Sequence, residues 1–131
     1  MEITTELLDR LSAEAKVNER LRKNYDLRNS DKDQSQRMLN ALEPGTILPI
    51  HRHTASSEVV TIIRGAIREN FYDENGTLID SIELKQGCEV PILVIPKGAW
   101  HNLECLESGT IIYESKDGAY EPTKQEDIYS R

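Results

Sequence analysis

Cysteine is scarce. The 131-residue chain has two, Cys88 and Cys105, too few for the bridge network of a small secreted scaffold. They read as free, mostly buried thiols in a reducing compartment, with a single Cys88–Cys105 bridge as the alternative. Long apolar runs are also missing. The N-terminus, "MEITTELLDRLSAEAK", carries acidic residues from its second position. It therefore fits neither a secretory signal nor a membrane span, and the protein is placed in the cytoplasm. Positive charge is in deficit, with 16 Lys and Arg against 23 Asp and Glu. That balance argues against nucleic acid and anionic membranes as partners and leaves small molecules. There is no internal repeat and no low-complexity tract, and the length suits one domain.

What is present falls into three parts. Residues 3–23 carry Ile3, Leu7, Leu8, Leu11 and Ala15 at helical spacing, with Thr4 or Thr5 as a cap, so a helix is expected there. The basic group Arg20, Arg22 and Lys23 either covers an acidic ligand or, more simply, is the solvated C-terminal end of that helix, where cations favour the dipole. Residues 24–35 are polar and turn-rich and complete an N-terminal helical segment, 1–35. From residue 36 to 122, short β-branched runs alternate with Gly and Pro, the pattern of an all-β sandwich or barrel. "FYDENGTLID" predicts a hairpin with Asn75-Gly76 as a two-residue turn. Residues 123–131 are polar and charged, a surface tail of modest order.

Histidine is scarce and clustered. Two of the three fall in "HRHTASSE" and the third in "PKGAWHN". On a strand, His51 and His53 project to one face and Arg52 to the other. Glu58 follows a short turn and opens the next strand, which brings a carboxylate alongside the imidazoles. His101 starts a strand after the Pro96–Gly98 turn. Three imidazoles and a carboxylate form a ligand set for one divalent transition metal: Zn, Fe, Mn or Ni. Glu58 either binds such an ion or orients a histidine.

These spacings resemble the cupin superfamily. Gly45, five residues, His51, one residue, His53, four residues, Glu58, six residues and Gly65 fit the first cupin motif, and Pro96, Gly98 and His101 fit the core of the second. Val90 and Cys105 stand where the second motif carries glycine and asparagine. "QRMLNALEPGTILPIHRH", "PKGAWHN" and "ESKDGAYEP" are similar to the WbuC-type cupin metalloproteins, over roughly residues 18–122. The resemblance implies a single-domain jelly-roll-like β-barrel with an N-terminal α-helix, one metal at its mouth and a homodimer. It also implies a small sugar-derived or acidic ligand in bacterial surface-polysaccharide metabolism. Either the protein is a metal-dependent isomerase, epimerase or iron-dependent dioxygenase, or it is a non-catalytic sensor of such a ligand.

The remaining candidates are open at this level. Glu114 and Tyr113 lie on the last apolar run; one faces in and one out, and the inward one is a candidate catalytic acid or base. Arg37 resembles a position shared with the WbuC-type proteins and serves either as an anion contact in the barrel mouth or as a structural ion pair. Tyr120 either touches ligand or closes the barrel edge. Arg64 and Arg68 are expected as hairpin-surface charges, and Trp100 as barrel packing.

Overall fold

The computed structural model describes residues 1–130. Its architecture is two facing antiparallel sheets with one helix outside. The helix, α1 (Thr5–Val17), is followed by β1 (Arg22–Asp26), β2 (Ser35–Leu42), β3 (Glu58–Arg64), β4 (Ala66–Tyr72), β5 (Leu78–Lys85), β6 (Ile92–Ile95), β7 (Trp100–Cys105) and β8 (Thr110–Asp117). A five-stranded sheet runs β1-β2-β8-β3-β6 and a three-stranded sheet runs β5-β4-β7. This is the expected jelly-roll-like β fold, with the sheets packed face to face rather than closed into a continuous barrel.

Period-2 alternation divides each strand between two environments. Ile112 of β8 joins Leu42, Val60, Ile62, Ile67, Leu84, Ile95 and Cys105 between the sheets. Its neighbour Ile111 points the other way, into a second cluster with Leu11 and Ala15 of α1 and Leu39 and Ala41 of β2. The continuous apolar run "TIIY" is thus a strand buried on both faces. Thr4 caps α1, its side chain accepting from the Leu7 N–H at 3.2 Å. Arg64 pins the helix to the sheet through Asp9 (2.7 Å) and Ser12 (2.9 Å), so it braces the helix instead of lying free on a hairpin.

Gly65 makes the β3–β4 turn at φ +80°, and a Cβ there would collide with Oγ1 of Thr110 and lie 2.7 Å from its Cα. Only glycine satisfies both the left-handed backbone and this approach.

Four expectations are corrected. The helix stops at Val17, and Arg22–Asp26 form an edge strand on β2. The Asn75-Gly76 turn is longer than two residues: Asp73 N–H bonds the Thr77 carbonyl (2.9 Å) and Gly76 N–H the Asp73 carbonyl (3.0 Å), a three-residue loop closed by a left-handed glycine. The polar tail is docked: Asp127 is buried, and Ile128 pairs with His51 in an isolated bridge. Of the two free thiols, Cys105 is buried but Cys88 is exposed.

Candidate metal centre

The H-x-H segment is held without a full strand. His51 forms a bridge with His101, His51 N–H to the His101 carbonyl at 3.0 Å and His101 N–H to the His51 carbonyl at 2.9 Å. The same residue is paired on its other side by Ile128, while Arg52 N–H bonds the Asp127 carbonyl (3.0 Å) and Tyr129 N–H the Ile50 carbonyl (2.8 Å). Two backbone neighbours therefore clamp the segment. Arg52 projects away from the histidines, as alternation requires. Its Nε donates to Asp127 Oδ1 at 2.8 Å and its guanidinium lies 4.5 Å over the Trp100 ring. Tyr129 meets Trp100 edge-on, with ring centroids 5.9 Å apart. Trp100 is packing, as expected, but it packs against the C-terminal segment.

On the inner side the three imidazoles converge. Ring centroids are 4.3 Å apart for His51 and His101, 4.9 Å for His51 and His53, and 5.6 Å for His53 and His101. One ligating atom from each lies within 4.8 Å of the others, an arrangement that can hold a metal ion. His51 Nδ1 faces the Pro49 carbonyl and His101 Nδ1 the Ala99 carbonyl, both at 3.0 Å. A carbonyl only accepts, so each Nδ1 carries the proton and each Nε2 is a bare lone pair, the tautomer that ligation requires. Burial, then the neighbouring His101, pushes the His51 pKa down to about 4. Burial also lowers that of His101, against the pull of the Ala99 carbonyl. Both rings are neutral at neutral pH.

Glu58 lies one step outside the trio. Its Oε2 is 3.1 Å from His53 Nε2 and 3.7 Å from Lys116 Nζ, and Lys116 Nζ is 3.3 Å from His53 Nδ1. The lysine can only donate, so His53 Nδ1 accepts and its Nε2–H donates to Glu58, a contact that ligation through His53 Nε2 would replace. Burial raises the Glu58 pKa, but the His53 hydrogen bond and the Lys116 charge outweigh it and leave the pKa lowered.

A cavity of about 230 Å³ opens over these residues between β1, β2, β8 and the three-stranded sheet. Glu114 lines it, opposite Met38 of β2 and Val60 of β3, and accepts a hydrogen bond from Asn40 Nδ2 at 2.9 Å. Burial first, then the Glu58 charge, raises its pKa to about 8. Tyr120 stands at the rim, 55% exposed, with Arg28 5.9 Å over its ring. Two other candidates are elsewhere. Tyr113, out of phase with Glu114, packs against the helix-side cluster on the outer face. Arg37 also points outward and pairs with Asp33 at 2.8 Å, the structural alternative. Cys105 sits in the apolar core, three residues up the strand from Asn102, with no contact to the imidazoles among those described.

Sequence reasoning missed Glu69 and Lys116. Glu69 is 1% exposed in β4, between the inward-facing Ile67 and Phe71, and lines the cavity. Burial, then Glu58 and Glu114, raises its pKa well above the usual carboxylate range. The signal was the alternation in "AIRENFY", which puts this glutamate on the apolar face.

Residues 3–84 match the domain of unknown function DUF6016. The chain belongs to that family. The matched span includes His51, His53 and Glu58 and ends before His101. No curated protein matches the chain in sequence. Among solved structures, it is similar to the capsular polysaccharide assembling protein CapF from Staphylococcus aureus, at 22% identity over 86% of this chain and 32% of CapF, with a TM-score of 0.65. It is also similar to KdgF from Halomonas sp. (13% identity, 80% of this chain and 84% of KdgF, TM-score 0.62). A third is oxalate decarboxylase from Bacillus subtilis (20%, 83% and 27%, TM-score 0.58). The chain thus spans about a third of CapF. These are cupin-fold proteins, and the likeness establishes a cupin fold here.

Proposed function

We propose that this protein is a mononuclear metal-binding cupin of the WbuC type. In this reading His51, His53 and His101, with Glu58, hold one divalent transition metal, and the cavity above it takes a small sugar-derived or acidic metabolite. The observation that carries the reading is the converged histidine trio, with two of its rings fixed by backbone carbonyls in the ligating tautomer. A bound ion would supply Lewis-acid polarisation of a ligand oxygen. Glu114, lining the same cavity with a pKa near neutrality, is the candidate acid or base. Its presence favours a catalytic role over a purely binding one. A place in surface-polysaccharide metabolism is supported by the fold shared with CapF. We extend the reading to a homodimer, supported by the exposed Ile92 and Val94 on the edge strand β6.

Elemental analysis of protein purified without added metal tests the centre: about one ion per chain is expected. Unchanged metal content after replacing both His51 and His53 with alanine would sink the assignment. Zinc or nickel alone, with no iron, would exclude the dioxygenase branch.

A further inference from the structure

Four buried side-chain atoms have no hydrogen-bond partner among the described residues: Arg28 Nη1, Arg37 Nε, Glu69 Oε2 and Trp100 Nε1. The two arginines are each engaged through their other nitrogens, with Asp26 and Asp33, and the tryptophan packs under Arg52 and edge-on to Tyr129. Glu69 differs. It lines the histidine cavity, it is 1% exposed, and its cross-strand neighbours Ile82 and Leu103 are apolar. A buried carboxyl with an unmatched oxygen costs stability and is retained where something other than the fold satisfies it.

The rest of the wall says what that something is. Two cations line the cavity, and only one of them has a carboxylate partner. Arg22 donates to the Ile47 carbonyl at 3.0 Å and to Thr46 at 3.4 Å, and Lys116 is held by His53 and Glu58. The other polar groups of the wall are carboxyl and amide: Glu69, Asn24, Gln36, and Glu114 with its partner Asn40. Carboxyl and amide groups accept from hydroxyls, and amides also donate to them. The volume of about 230 Å³ lies just under the range of about 300–1,000 Å³ typical of pockets for drug-sized ligands. A single small ring fits that space better than a nucleotide-linked one.

We infer that the cavity takes a polyhydroxylated ligand of monosaccharide size, and that Glu69 hydrogen-bonds one of its hydroxyls. This rests on the metal-cupin reading and narrows it from sugar or acid to sugar.

The test titrates zinc-incubated wild type, Glu69→Gln and Glu69→Leu by NMR with glucose, galactose, mannose and rhamnose, and separately with oxalate and malonate. Zinc content is measured on the same samples. Absence of zinc from the wild type sinks the metal reading, while the sugar titration of that sample still reports on Glu69. The expected result is binding of at least one of these sugars, weakened tenfold or more by Glu69→Leu and less by the isosteric Glu69→Gln. Without ligand, Glu69→Leu is expected to melt no lower than wild type, because the unmatched oxygen is gone. Binding of the dicarboxylates with no sugar, no binding of any sugar, or sugar affinity unchanged in Glu69→Leu would each overturn the inference. So would failure of Glu69→Leu to fold or a melting point several degrees lower, since Glu69 would then be structural.

Discussion

At one end of the double sheet the inward positions of β3, β8, β4 and β7 are Ile62, Ile112, Ile67 and Cys105; at the other end of the same strands they are Glu58, Glu114, Glu69 and His101. Register ties the two sets together. Ile62 stands opposite Ile112 and Glu58 opposite Lys116, four residues along each strand; Ile67 stands opposite Cys105 and Phe71 opposite His101. The backbone is the same at both ends, and only the inward side chain changes. Burying carboxyls and imidazoles is costly. The apolar end and the helix-side cluster supply the burial that offsets this cost. The lesson is a division of labour along each strand: one end holds the sheets together, and the other presents chemistry at a fixed geometry.

The comparison breaks most sharply at the polar end. His101→Ala is expected to abolish stoichiometric metal binding while leaving the fold intact, checked by elemental analysis alongside circular dichroism. Loss of fold with loss of metal would mean that the two ends are not separable. Next in size is the apolar end. Ile112→Ala, with its side chain fully buried, should lower the unfolding free energy by about 2–5 kcal/mol, read by urea denaturation. The surviving folded protein should still bind one metal ion per chain.

Much of the polar end was legible in the sequence because its spacing is local. The span from Gly45 to Gly65 contains two histidines, a glutamate and the two glycines that frame them, and "PKGAWH" adds the last imidazole on a tight turn. The cupin resemblance and the jelly-roll-like fold followed from those residues. What was not legible had its hydrophobic signal erased. β1, "RKNYD", is an edge strand whose inward Arg22 and Asn24 line the polar cavity, so no apolar alternation marks it. The cavity's polarity also hid Glu69, because a lone glutamate reads as solvent-facing unless its strand neighbours are known to face in. The C-terminal segment docks by backbone pairing, one ion pair and ring contacts, and composition records none of these. Glu114 against Tyr113 was a choice of phase on a strand buried on both faces, and only the register decided it.

The third expected effect is electrostatic. Glu114 has a folded-state pKa of about 8 against about 4.3 for an unperturbed glutamate. Between those values the folded state holds a proton that the unfolded state has released. Stability therefore falls as pH rises from about 4 to 8 and levels off above that. Glu114→Gln keeps the shape and removes the proton, so its urea midpoint should decline less steeply over the same window. Glu58 has the opposite sign, since its lowered pKa contributes stability that is present above about 4.3 and lost on acidification. A midpoint that declines as steeply in Glu114→Gln as in wild type would show that the cavity end does not carry this charge cost.

The smallest effect concerns the face behind the histidines. Asp127 does not line the cavity, yet it holds Arg52 by side chain and backbone, and Arg52 lies between His51 and His53 in the chain. If the C-terminal segment fixes the two imidazoles, Asp127→Asn should loosen their relative placement without removing a ligand. A drop in metal affinity of about tenfold is expected, the lower bound for losing a partner that orients a ligand, with the stoichiometry of one ion unchanged. Trp100 gives a second readout, because its ring touches both Arg52 and Tyr129. Its fluorescence should shift on Asp127→Asn whether or not metal is present. A fluorescence shift with unchanged metal affinity would show that the segment covers the sheet without positioning the histidines. The bridge between His51 and His101 would then suffice by itself to hold the site.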